Sequence, residues 1–145
     1  MPHIRIFTNV ARDKFDQQSM EKMIEEMAVI NGKPDKLFMA SVSAGEVFVM
    51  NKSQEPAAHV AFLSIGKIDE ESNAKYSEIL FRFLNTKDIK NERIQCTFHN
   101  VSKQNFGWNN ALVSRLFPDT PKTETPQEPA QQSTQNKGSS ACVIL

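Results

Sequence analysis

An α+β fold is predicted for this chain: two pseudo-symmetric β-α-β units forming a four-stranded sheet with two helices on one face. Three observations predict it. Segments with the two-residue alternation of strands are separated by segments with helical spacing, in the order strand–helix–strand, twice over. The strands read as starting at 3 and 60, and at 37 and 94, so both pairs differ by 57 residues, an echo of architecture without residue identity. The composition then breaks at Phe117, since all ten phenylalanines of the 145 residues lie at or before it.

In chain order, Ile4, Ile6 and Thr8 interleave with Arg5 and Phe7, the alternation of a half-buried strand. Met20, Met23, Ile24, Met27 and Ile30 recur at helical spacing, and Gly32 supplies a stop. These methionines read as core packing rather than a recognition stripe. Residues 37–42 form a second strand, and Ala44-Gly45 punctuates the chain before residues 47–50, read as its hairpin partner. Residues 60–65 are a third main strand ending at Gly66. Asp69, Glu70 and Glu71 then place negative charge where a helix N-terminus favours it. Tyr76, Ile79, Leu80, Phe83 and Leu84 give that helix one apolar stripe. Residues 94–99 make the fourth strand, with Ile94, Cys96 and Phe98 on one face and Gln95, Thr97 and His99 on the other. With both helices on one face, the other face of the sheet still needs cover, and a second copy of the chain is the obvious source.

Charge balances at 17 basic against 17 acidic residues, which argues against a strongly basic nucleic-acid binder. Two cysteines cannot make a disulfide framework, so the chain reads as reduced and intracellular. No apolar stretch approaches the roughly 20 residues of a membrane span, and no secretory h-region follows Met1. A cytoplasmic location is expected, with signal-independent export the alternative. Residues 118–145 hold four of the seven prolines and no aromatic residue. Such a segment cannot bury enough apolar surface to offset ordering, so the reading is a domain over residues 1–117 and a disordered polar tail over 118–145.

Local motifs for chemistry are sparse. There is no glycine-rich phosphate loop, metal-ligand cluster or Ser/His/Asp signature, so no cofactor and no metal is expected. The histidines His3, His59 and His99 are scattered and read as ordinary strand or loop residues. Pro2 stands out: removal of the initiator methionine before a small residue would leave a free secondary amine. Such an amine is a general base at neutral pH if desolvation or a nearby cation lowers its pKa.

Several strings in order add to this: Met1-Pro2, Thr8-Asn9-Val10, Gly32-Lys33-Pro34, Ser64-Ile65-Gly66-Lys67-Ile68 and Asn105-Phe106-Gly107-Trp108-Asn109-Asn110. Through them the chain resembles the macrophage migration inhibitory factor family over residues 2 to about 115. The resemblance implies a homotrimer whose sheets wrap into an inner barrel, with pockets between subunits. It implies keto–enol tautomerase activity on phenylpyruvate-like aryl keto acids; several members are also cytokines. Pro2 matches the catalytic base, Lys33 the cation that holds the substrate carboxylate, and Ser64 and Ile65 the segment lining the same pocket. Trp108 matches a tryptophan near the rim. Gln95 and Thr97 stand where the neighbouring subunit contributes an aromatic hydroxyl and an amide.

Departures from the family pattern matter. Gln95 can donate a hydrogen bond but has no phenolic proton and no ring to stack on an aryl substrate. Leu37 and Val113 replace residues that are often aromatic, making the mouth more aliphatic, while Phe106 returns some bulk. The founding members' C-x-x-C after Glu55-Pro56 is here Ala57 and Val60, which excludes dithiol chemistry at that site. Cys96 reads as inert packing. The expected function is therefore a tautomerase of low activity. The alternatives are a cytokine-like binding protein with a protein receptor and weak or lost catalysis, and a structural trimer with a vestigial pocket. Retention of Pro2 with Lys33 favours a working amine pocket over the last.

The chain ends in Cys142-Val143-Ile144-Leu145, a C-a-a-X box whose terminal leucine favours geranylgeranylation. A polar leash before it would present the extended terminus to a transferase. Only Lys137 lies nearby as basic help, and one lipid alone gives reversible attachment. Three tails on a trimer would add avidity. Protein from a eukaryotic cell is expected to carry an isoprenoid on Cys142 and to partition to membranes, with Cys142→Ser soluble. An intact mass still ending in Leu145, without isoprenoid, would overturn this.

Overall fold

A computed structural model describes residues 1–119; the tail beyond, including Cys142, lies outside the described residues. Its first strand, β1 (His3–Thr8), leads to helix α1 (Gln17–Asn31) and strand β2 (Met39–Ser43). The second unit is β3 (Ala58–Ser64), α2 (Glu70–Asn85) and β4 (Ile94–Asn100). Strand order is β2-β1-β3-β4, parallel within each unit and antiparallel between the central pair β1 and β3. Parallel neighbours need a crossover, which each helix supplies. The observed starts, 3 and 58 and again 39 and 94, give an offset of 55 residues rather than 57.

Both helices are capped as their sequences dictate. Asp16 and Asp69 accept the backbone N–H of Ser19 and Ser72, each at 2.8 Å, satisfying a donor of the first turn. Gly32 ends α1 in the left-handed region at φ 77°, where its N–H donates to the Ala28 carbonyl. The core lies between the helices and one sheet face. Ile4, Ile6, Val60 and Phe62 from the central strands meet Met23 and Met27 of α1 and Tyr76, Leu80 and Leu84 of α2. Phe62 is fully buried, its ring edge-on to Tyr76 with centroids 4.8 Å apart. Among the described residues no helix is long and apolar enough to cross a membrane.

The open face bears His3, Arg5 and Phe7 of β1, His59 of β3, and Gln95, Thr97 and His99 of β4. The three histidines, scattered along the sequence, therefore share one face. Thr97 Oγ1 lies 3.3 Å from His59 Nε2 and 2.9 Å from His99 Nε2. Cys96 points the other way, and burial pushes its thiol up to about 11, consistent with an inert packing residue.

Two predicted elements differ. Leu37 belongs to a single 3-10 turn, Asp35–Leu37, and β2 starts after it. Residues 47–50 form no hairpin with β2. Gly45 and Glu46 donate instead to the carbonyls of Val10 and Thr8, turning the chain past the end of β1, and Met50 makes only an isolated bridge with Ser53. Val47 and Val49 stay 92% and 62% exposed, apolar side chains with no neighbouring strand among the described residues.

The string Asn109-Asn110 has a geometric reason. Short strands β5 (Gly107–Trp108) and β6 (Ala111–Leu112) are joined by these two residues with φ 50° and 62°, the tight hairpin turn that asparagine tolerates. A one-turn helix α3 (Val113–Leu116) follows. Thr8 and Asn9 bind the loop before β3: Thr8 Oγ1 donates to the Ala57 carbonyl at 2.7 Å, and Asn9 accepts from Ala57 N and donates to the carbonyls of Gln54 and Glu55. Buried Arg93 clamps the same loop, donating to the carbonyls of Met50, Ser53, Glu55 and Pro56 at 2.9–3.2 Å. Arg93→Met is expected to lose about 3 kcal/mol, since bonds to a charged donor are the stronger kind and several acceptors lose theirs together. Urea unfolding checks this, against a near-neutral Cys96→Ala.

Candidate functional site

The chain start is pinned by β pairing that continues past β1: the Pro2 carbonyl accepts from Met39 N at 2.9 Å, and Pro2 itself is fully buried. Lys33 follows the α1 stop at Gly32 and folds back toward β3. Its ammonium donates to the Ile65 carbonyl at 2.5 Å and to Ser64 Oγ at 3.4 Å. Burial lowers its pKa, and among the described residues no carboxylate pairs with it. The Met1 amine has its pKa lowered by burial first and then by the Lys33 charge. This amine, one residue before Pro2, and an anion-seeking cation thus share one place.

A buried polar chain fixes that place. Asn31, last residue of α1, donates through Nδ2 to Ser64 Oγ at 3.1 Å and to Tyr76 Oη at 3.0 Å. Tyr76 in turn donates to the Lys67 carbonyl at 3.0 Å. The end of α1, the middle of α2 and the end of β3 are therefore joined at side chains two residues from Lys33.

Two cavities flank the start of the chain. One, of about 390 Å³, is bounded by Pro2, Lys36, Leu37, Phe106 and Trp108. The other, of about 240 Å³, lies between Lys33, Ile65, Lys103, Val113 and Phe117. Met1 and Leu37 line both. Leu37 and Val113 make the walls aliphatic, and Phe106 adds an aromatic ring.

Of the residues singled out in the sequence, Pro2, Lys33, Ser64, Ile65 and Trp108 gather here. Gln95 and Thr97 do not. Both are exposed on the open face of β4, and register places Gln95 level with His59 and Phe7, at the opposite end of the sheet from Pro2. Gln95 instead borders a cavity of about 780 Å³ with Phe7, His59, Val47 and Val49. Asn31, Tyr76, Lys36, Lys103 and Phe117 were not anticipated. Asn31 had a signal, because it extends the Met23–Met27 spacing by four residues and is polar on a core face. Tyr76 is the only tyrosine of the chain, set among hydrocarbon side chains that need no hydroxyl. Among the described residues no group of three His, Cys, Asp or Glu side chains could hold a metal.

Comparison with known proteins bears on this arrangement. A family profile described as macrophage migration inhibitory factor matches residues 1–114. Macrophage migration inhibitory factor of Xenopus tropicalis is 29% identical over 115 residues, 79% of this chain and 100% of the relative. D-dopachrome decarboxylase of Mus musculus is 26% identical over 118 residues, 80% of this chain and 100% of the relative. The solved structure of macrophage migration inhibitory factor from Trichinella spiralis superposes with a TM-score of 0.71 at 25% identity, covering 76% of this chain and 98% of that one.

Tyr76→Phe tests the polar chain directly. It leaves the Asn31 amide and the Lys67 carbonyl each short of a buried partner, and a loss of about 1–3 kcal/mol is expected in urea unfolding. A stability equal to the parent's would remove this chain as the support of the site.

Proposed function

The chain belongs to the macrophage migration inhibitory factor family, and on that premise we propose that it is a keto–enol tautomerase using the secondary amine of Pro2 as general base. The observation that carries the reading is the position of Lys33: a half-buried cation without a carboxylate partner among the described residues, beside a buried chain start. The substrate class is a phenylpyruvate-like aryl keto acid. Its carboxylate sits on the Lys33 ammonium. The Pro2 nitrogen takes the proton from the carbon next to the carbonyl, the C–H pair becomes the C=C bond, the carbonyl oxygen takes a proton from water, and the prolinium gives its proton to the hydroxide that remains. The reverse path returns the proton from the prolinium to carbon. The same two influences that lower the Met1 amine, burial and the Lys33 charge, favour the unprotonated form of a Pro2 amine, the form that can accept.

Completion of the pocket by neighbouring copies is part of the reading. Gln95 and Thr97 are out of reach of Pro2 in their own chain, and among the described residues Val47 and Val49 are exposed without a strand partner and the open sheet face has no cover. A homotrimer supplies all three. Gln95 from the neighbour donates an amide hydrogen bond to the enolate oxygen but cannot surrender a proton, so turnover is low. That same residue favours the second reading, a cytokine-like binding protein of the same fold with weak catalysis. Tethering through a lipid on Cys142 rests on the C-a-a-X box alone.

The test is keto-to-enol conversion of phenylpyruvate by protein with Pro2 verified as its first residue. Pro2→Gly is expected to lower turnover by ~10²–10⁴ with the fold retained by circular dichroism. The rate should rise with pH as the amine loses its proton. Lys33→Met removes a neighbouring positive charge, so the inflection should move to higher pH. Unchanged turnover in Pro2→Gly would overturn the base assignment.

A further inference from the structure

Beyond Lys33, the same cavity holds a second cation that the reaction above does not use. Lys103 stands in a 3-10 turn, Lys103–Asn105, and faces the space of about 240 Å³ shared with Lys33, Val113 and Phe117. Its ammonium donates to the Phe117 carbonyl at 3.0 Å and to Asp119 Oδ1 at 2.8 Å. The two ends of this pair differ in setting. The lysine side chain is 32% exposed, whereas that of Asp119 is 87% exposed. The cation is held in the wall of the cavity; the carboxylate reaches it from solvent, in a kind of pair that water and salt weaken. Asp119 therefore shows what Lys103 binds, a carboxylate. Lys36 adds a further positive charge to the adjoining space by Leu37 and Trp108. The remaining walls near Lys103 are apolar: Ile65, Val113 and the ring of Phe117. Lys33 and Lys103 both border this otherwise apolar space.

We propose that the pocket takes a keto acid carrying a second carboxylate remote from its carbonyl, with Lys33 on the near carboxylate and Lys103 on the distal one in place of Asp119. This deepens the tautomerase reading and rests on it for the chemistry, but the binding claim stands apart from turnover. Lys103 is a specificity-determining residue here and takes no part in proton transfer.

Trp108, the only tryptophan, lines the adjoining space beside Pro2 and Leu37 and is 42% exposed, so its fluorescence reports binding without catalysis. The probes are 2-oxoadipate and 2-oxohexanoate, six-carbon keto acids that differ only in the distal carboxylate. With protein starting at Pro2, 2-oxoadipate is expected to bind about tenfold tighter, the scale of one charge-assisted contact. Lys103→Met should bring the two affinities together by weakening 2-oxoadipate alone. Lys103→Arg should keep the preference, and Asp119→Asn should strengthen 2-oxoadipate binding by removing its competitor. Equal affinities in the parent, or an equal loss for both probes in Lys103→Met, would overturn the proposal. Selective binding of 2-oxoadipate by a protein that tautomerises no keto acid would support it while overturning the enzymatic reading.

Discussion

The Asn31 amide is the point on which the site depends. Each of its two hydrogens goes to a different element, one to Ser64 at the end of β3 and one to Tyr76 in α2. A buried polar group without a partner costs more than a made hydrogen bond gains, so this arrangement tolerates little displacement of α1, α2 or β3. Lys33 lies two residues beyond and shares the Ser64 hydroxyl with Asn31. Its ammonium is thereby referenced to the sheet rather than to a loop. Apolar packing of Met27, Phe62 and Leu80 gives the domain its cohesion, but it is non-directional and would not by itself place a charge to within an ångström.

Much of this was legible in the sequence. Alternation in β1 and β4 separated the core-facing residues from the exposed ones, and Gln95 and Thr97 indeed share the exposed side. Asp69 before the second helix and Gly32 after the first marked boundaries because capping is local chemistry, while the Asp16 cap of the first helix went unread. Other features depend on residues far apart in the chain. Residues 47–50 have the composition of a strand, but a strand needs a neighbour, and the hydrogen bonds of Gly45 and Glu46 carry the chain away from β2. His3, His59 and His99 looked unrelated until strand register put them on one face. Arg93 gave no signal, since its partners are four backbone carbonyls, which have no sequence identity. Lys103 reads as one more surface lysine until the hairpin of β5 and β6 and the short helix α3 fold Phe117 against it.

Strings shared with the family turn out to have separate physical jobs. Thr8-Asn9 holds the loop before β3, Asn109-Asn110 makes the turn that presents Trp108, and Ser64-Ile65 receives Lys33. Chemistry is assigned to few positions and scaffolding to many. The replacement at Gln95 therefore leaves the fold untouched, because that side chain is exposed and outside the core.

Met1 beside both cavities has a consequence for the proposed chemistry. With Met1 in place its side chain borders both spaces and the proline nitrogen is locked in an amide. On the proposed reading, cutting that single peptide bond is what frees the base. The aminopeptidase step would then be a maturation event in the manner of zymogen activation, though only one residue departs. By the same reasoning an extension left at that end, an affinity tag included, would keep the amine capped.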